Sequence, residues 1–131
     1  MKSKPDWIII LAIQPTSGRW LMVYHQERGW ELPGGRIEDS ESVEVAALRE
    51  LKEEADISGK VVELLKLDSH DSGIVVFVEI DDLEKRNEWA SKDSKIERVS
   101  FHEEIPEYLH WGTNELKSIL DYWSAARTTV S

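Results

Sequence analysis

The amino-acid sequence predicts an α/β (α+β) fold with a mixed β-sheet between helices. Three observations predict it. Trp7–Ile13 is almost continuously apolar and rich in β-branched residues, as a strand buried on both faces must be. Over residues 42–55 the apolar positions recur at helical spacing instead, with Val43, Ala47, Leu48, Leu51 and Ala55 on one arc at about 100° per residue. Strands, a helix, more strands and a second helix then follow one another without a repeat or a linker-like tract. The 131 residues are therefore expected to form one domain, 1–131.

Each element has a local reason. Residues 15–18, Pro-Thr-Ser-Gly, signal a turn, and Trp20–His25 reads as the partner strand of a hairpin. Residues 30–32 form a short extended piece that ends at Pro33-Gly34-Gly35, a break in regular structure. The helix follows. Residues 61–67 and 73–80 read as two strands joined by a polar turn, and residues 81–93 as a charged loop with room for a helical turn. Residues 96–101 form a further strand, with Ile96, Arg98 and Ser100 on one face and Glu97, Val99 and Phe101 on the other. Leu116, Ile119, Leu120 and Trp123 share the stripe of a second helix, capped by Thr113 or Asn114.

Composition excludes several functions. A chain with no cysteine has no disulfide scaffold, thiolate metal site or cysteine nucleophile. Hydrophobic residues at 40% are too many for a disordered acidic tail, and no apolar run approaches the roughly 20 residues of a membrane helix. The N-terminus lacks a signal-peptide cleavage site, so a cytoplasmic location with no membrane partner is expected. A net charge of −10 opposes broad affinity for nucleic acid.

The acidity is concentrated. Residues 31–56 hold nine acidic and three basic side chains, a local charge of −6. With Val43 at zero, Glu50 falls at about 340°, Glu53 at about 280° and Glu54 at about 20°, beside the apolar arc. Like charges at these i, i+3 and i, i+4 spacings cost about 0.2–0.5 kcal/mol each, near a helix end whose dipole disfavours anions. Local stability gives no reason for such a cluster. A hard divalent cation does, because Mg²⁺ and Mn²⁺ take oxygen ligands from a few carboxylates and from substrate phosphates. The bare backbone of Pro33-Gly34-Gly35 can approach such a cation or a phosphate closely.

These residues carry a resemblance. Gly35, five residues, Glu41, seven residues, Arg49-Glu50-Leu51, one residue and Glu53-Glu54 resembles the Nudix box, G-x5-E-x7-R-E-U-x-E-E-x-G-U. Trp30-Glu31-Leu32-Pro33-Gly34-Gly35 is also typical of that family, and the surrounding strands fit its α/β/α sandwich. One position departs: Asp56 stands where the family usually has a glycine. That glycine normally supplies a left-handed helix cap, which Asp adopts at a cost of about 1 kcal/mol.

The resemblance implies a phosphoanhydride hydrolase that uses Mg²⁺ or Mn²⁺. It places Glu53, Glu54 and the carbonyl of Gly34 as metal ligands, and Glu50 as a further ligand or the general base. Arg49 would orient the glutamates, while Gly35 and Glu41 would support the loop and helix. A later carboxylate often joins the site in this family; Glu97, with Glu103 and Glu104, is the candidate here. The flanking segments resemble the MutT-like branch, and within it the small bacterial YtkD-type nucleoside triphosphatases. The implied reaction turns a (deoxy)nucleoside triphosphate, including oxidised purine forms, into monophosphate and pyrophosphate. RNA 5′ ends, with Lys2 and Lys4 or Lys85 and Arg86 as basic contacts, and sugar nucleotides or dinucleotides are the alternative substrates. A non-catalytic nucleotide sensor is the rival of another class, although such domains typically lose a box glutamate. A homodimer is common in the family, but no segment marks an interface.

The remaining aromatic and imidazole side chains add less. Trp7, Trp20 and Trp30 are expected in the core, with one of them available to stack on a base, and Trp89 and Trp111 nearer the surface. His25, His70, His102 and His110 show no metal-ligand spacing and read as ordinary polar residues.

Overall fold

The structure is a computed structural model, and it describes residues 6–66, 73–107, 110 and 113–128. The turn at 68–72, His70, Trp111, Lys2 and Lys4 lie outside these. The order is β1 (Trp7–Ile13), β2 (Trp20–His25), β3 (Gly29–Glu31), β4 (Gly34–Arg36), α1 (Val43–Ala55), β5 (Lys60–Lys66), β6 (Gly73–Glu79), β7 (Glu88–Ala90), β8 (Ile96–His102) and α2 (Thr113–Thr128). All eight strands join one sheet, with path β5-β6-β1-β2-β8-β7. The sheet is mixed, because β1 runs parallel to β6 while the other pairs are antiparallel.

The alternation of β1 builds both layers. Ile8, Ile10 and Ala12 pack with Ala46, Ala47, Leu51 and Ala55 of α1. Ile9, Leu11 and Ile13 pack on the opposite face with Leu116, Ile119 and Trp123 of α2. Side chains of period two thus require a helix on each face, which is the sandwich expected from the sequence. Among the described residues no helix is long and apolar enough to cross a membrane.

The feature that positions the site is a splay between β1 and β2. They pair at Ile13 with Trp20, next to the hairpin turn, and then part. β3 continues on β2 and β4 on β1, with the Ile10 amide donating to the Pro33 carbonyl between them at 2.8 Å. Gly34 and Gly35 therefore do more than break the chain: they form a strand, paired with Ile9 and Ile8. Both need to be glycine for space. A Cβ on Gly34 would lie 2.2 Å from the Ile8 carbonyl oxygen, and one on Gly35 would lie 2.1 Å from a Glu50 carboxylate oxygen.

Three further details differ from the sequence expectation. The loop of residues 81–93 contains β7, whose Trp89 is half-buried, not exposed, and donates its indole N–H to the Ala55 carbonyl at 2.9 Å. Strand β8 has an irregularity opposite Tyr24 and His25 that leaves Glu97 unpaired, so Ile96 joins Val99 and Phe101 on one side. The buried stripe of α1 is also rotated: Ala46 is buried, whereas Leu48 is 36% exposed. Two small residues, Ala46 and Ala47, let the helix lie close on the sheet.

Both ends of α1 are closed. The Ser42 hydroxyl accepts from the Val45 amide at 3.1 Å. Asp56 adopts the left-handed cap, with φ 57° and ψ 41°, and its amide donates to the Lys52 carbonyl. Its carboxylate meets Lys52 at 3.1 Å and Arg86 at 3.4 Å, contacts a glycine could not make. Helix α2 already includes Thr113, one of the two expected cap residues.

The Asp56 ion pairs are solvent-accessible and therefore screened by salt, whereas its backbone strain is not. Asp56→Gly is expected to be near neutral at low ionic strength and to gain melting temperature relative to the parent as NaCl rises to about 0.5 M. Thermal melts at the two salt concentrations check this.

Candidate functional site

The rotation of α1 places its carboxylates within the buried arc of the helix. Glu50, at about 340°, and Glu54, at about 20°, fall between Ala46 and Ala47, which face the sheet. Glu54 is held against β4, its Oε1 accepting from the Gly34 amide at 3.3 Å. Burial pushes its carboxyl up to about 9, with the Glu50 charge adding to the rise and the Gly34 amide opposing it. Burial also raises Glu50; the Arg49 guanidinium opposes this, and the Glu53 charge reinforces it. Glu50 and Glu54 are also hydrogen-bonded to each other.

Arg49 ties the box together. Its Nε and Nη2 donate to the two oxygens of Glu41 at 2.5 and 2.9 Å, a bidentate pair that holds the guanidinium charged. Nη2 also donates to the Arg36 carbonyl at 3.1 Å. Nη1 reaches Glu53 at 3.2 Å and Glu50 at 3.5 Å. Glu41 also accepts from the Glu38 amide at 2.9 Å, so one carboxylate joins the loop before α1 to the helix itself. Glu53 is the outermost of the three helix carboxylates and is exposed.

The splay between β1 and β2 opens beside this cluster as a cleft of about 230 Å³, lined by Trp7, Arg28, Glu31, Gly34, Gly35 and His110 among others. The two glycines are the shared wall, since Gly34 touches Glu54 and Gly35 touches Glu50.

The NUDIX domain profile matches residues 4–120. The chain belongs to the NUDIX domain family. YtkD of Bacillus subtilis, which carries the provisional name 8-oxo-dGTP diphosphatase, is 39% identical over 95 residues, covering 70% of this chain and 60% of that one. An RNA pyrophosphohydrolase of Histophilus somni is 36% identical over 67 residues, 51% of this chain and 34% of that one. The crystal structure of a Bacillus subtilis pyrophosphohydrolase superposes with a TM-score of 0.56 at 27% identity, over 82% of this chain and 68% of that one. The matched segment thus spans little more than half of the first relative and about a third of the second.

NUDIX hydrolases generally use divalent metals, and the donor set here fits one in part. Glu50 and Glu54 are two hard carboxyl groups in contact, both raised by burial, and a cation between them would favour their charged forms. Among the described residues, however, no three carboxylate or imidazole side chains stand close enough together to hold an ion as they are. Glu53, engaged by Arg49, stands aside from the pair.

Glu97 is exposed at the irregularity of β8, and no described hydrogen bond or ion pair joins it to the box; Glu103 and Glu104 are exposed as well. The late carboxylate whose charge acts on Glu54 is Asp93. Its segment is fixed to the end of α1 by the Ser91 hydroxyl, which donates to the Glu54 carbonyl at 2.7 Å. Sequence reasoning also missed Arg28 and His110, since nothing in their spacing points to the cleft. Of the other imidazoles, His25 accepts from the Glu27 amide, and His102 meets Trp30 edge-on with burial lowering its pKa.

Two predictions follow from this geometry. Gly35→Ala displaces the flexible Glu50 side chain and is expected to impair activity more than stability. Gly34→Ala meets the Ile8 backbone and is expected to cost about 1–3 kcal/mol of stability. Denaturant unfolding and turnover, measured on both variants, separate these effects. The second concerns pH. Because folding raises the Glu54 pKa above its ordinary value of 4.5, to about 9, the metal-free protein loses stability as pH rises across that window. Glu54→Gln is expected to remove this loss, so its melting temperature should gain on the parent between pH 6 and 8.5 in EDTA. Mn²⁺ should raise the parent's melting temperature more at pH 8.5 than at pH 6 and should raise the variant's little at either.

Proposed function

We propose that the chain is a Mg²⁺- or Mn²⁺-dependent hydrolase of a nucleoside diphosphate-linked compound. Its preferred substrate is a (deoxy)nucleoside triphosphate, including oxidised purine forms, cleaved to the monophosphate and pyrophosphate. The observation that carries this reading is the half-buried Glu50–Glu54 pair abutting the two-glycine wall of an open cleft. The provisional diphosphatase name of the Bacillus subtilis relative supports the triphosphate. The RNA pyrophosphohydrolase relative supports a 5′-triphosphate RNA end as the second reading. Arg86, one of the basic residues considered for RNA, is engaged by Glu84 and Asp56.

In this reading Glu53, Glu54 and the Gly34 carbonyl would hold the cation, with Glu50 as a further ligand or the general base. When bound, the metal supplies charge neutralisation at phosphoryl oxygens and lowers the pKa of water. The remaining work falls to the chain. Glu50, raised by burial and steadied in its charged form by Arg49, is suited to take a proton from the attacking water. Arg49 keeps Glu50 and Glu53 oriented, and Glu41 keeps Arg49 in place. Asp93 adds negative charge next to Glu54.

Pyrophosphate release from dGTP, 8-oxo-dGTP and a short 5′-triphosphate RNA, each with Mg²⁺ and Mn²⁺, tests the proposal and ranks the substrates. Folded Glu53→Gln is expected to lose turnover on the order of 100-fold. Tight nucleotide binding with no turnover of any diphosphate compound would make the chain a sensor instead.

A further inference from the structure

The cleft contains a charge that the box does not account for. Arg28 lies in the turn between β2 and β3, where its amide donates to the His25 carbonyl at 3.2 Å and Gly29 follows with φ 95°. The preceding Gln26 amide donates to the Lys95 carbonyl at 3.1 Å, fixing the turn to the β8 side of the sheet. The guanidinium is gripped along one edge by Glu31: Nε donates to Oε1 at 2.9 Å and Nη2 to Oε2 at 2.8 Å. Five N–H groups are available to an arginine, so about three of them are left without a partner among the described residues. The two side chains differ in exposure, 45% for Arg28 against 14% for Glu31. The carboxylate is therefore the anchor and the guanidinium the exposed member.

Both residues line the cleft that ends on Gly34 and Gly35. The Arg28 charge also lies within electrostatic reach of Glu54. Arg49 cannot serve the cleft in the same way, because Glu41, Glu53 and the Arg36 carbonyl engage it. Arg28 is thus the permanent cation among the described residues of this wall.

We infer that Arg28, held in position by Glu31, binds the free terminal phosphate of the substrate and selects polyphosphates with an unesterified end over diphosphates esterified at both ends. The inference rests on the nucleotide-hydrolase reading of this site. An unesterified terminal phosphate carries a charge near −2 and three acceptor oxygens, which a planar guanidinium with open N–H groups matches. A phosphorus esterified on both sides carries a single charge and fewer free oxygens. Arg28 is therefore a specificity residue and Glu31 its positioning partner.

The test compares the parent chain, Arg28→Gln, Arg28→Lys and Glu31→Gln in the presence of Mn²⁺. Affinity for non-hydrolysable α,β-methylene-GTP and for GDP-mannose is read by titration calorimetry, alongside KM and kcat for GTP. The parent is expected to prefer the triphosphate analogue. Arg28→Gln is expected to reduce that preference at least about tenfold and to raise the KM for GTP more than it lowers kcat. Arg28→Lys should restore part of the preference, and Glu31→Gln should lose part of it. Three results would overturn the inference: no preference in the parent, an unchanged preference in a folded Arg28→Gln variant (equal losses on both ligands included), or an unchanged preference in Glu31→Gln. The calorimetric arm is independent of turnover, so an inactive parent would remove the hydrolase reading and still leave Arg28 to be decided by binding.

Discussion

The site depends on one close approach: helix α1 presses its carboxylates against a strand without side chains. Gly34 and Gly35 pair with β1 and also bring backbone to within contact of Glu54 and Glu50. The splay of β1 and β2 makes room for that strand, and Ala46 and Ala47 let the helix come close enough. Enlarging any of these surfaces would move the carboxylates out of their common space. The cleft, the acid pair and the helix register are consequences of the same packing.

Such packing is costly for charged groups. Each unit of upward pKa shift on a buried carboxyl costs the folded state about 1.4 kcal/mol once the group ionises. The fold offsets this by distributing countercharge instead of burying a salt bridge. Arg49 serves Glu41, Glu50 and Glu53 at once, and Arg28 lines the same cleft as the two glycines. The net charge of −10 is thus compatible with an anionic ligand, because two of the most crowded carboxyl groups, Glu50 and Glu54, face the glycine strand and are raised above their ordinary pKa by burial.

The sequence made much of this legible, for reasons that differ by element. β1 declared itself because a strand covered by helices on both sides has no polar positions. The spacing of Gly35, Glu41, Arg49, Glu50, Glu53 and Glu54 was legible because the chemistry of the box is local in the chain. The arc of α1 was misread by one position: Leu48 is more hydrophobic than Ala46, but closeness to the sheet selected the smaller residue. β7 was missed because three residues among charges carry too little periodicity, and Trp89 is half-buried through a contact with Ala55, 34 residues away. Ile96 changed sides because an irregularity resets alternation, which no local pattern announces. Arg28, Asp93 and His110 are brought to the site by tertiary structure alone.

The far end of α1 carries one more implication. Its last carbonyls, those of Glu54 and Ala55, are satisfied by Ser91 and Trp89, which come from the β7 region and not from the helix's own continuation. Loop closure over that distance must be complete before this turn is fully supported. The end of the helix that carries Glu53 and Glu54 therefore depends on contacts made 34 and 37 residues further along the chain. The placement of the two acids against Gly34 and Gly35 is thus tied to the β7 region as well as to the strand they touch.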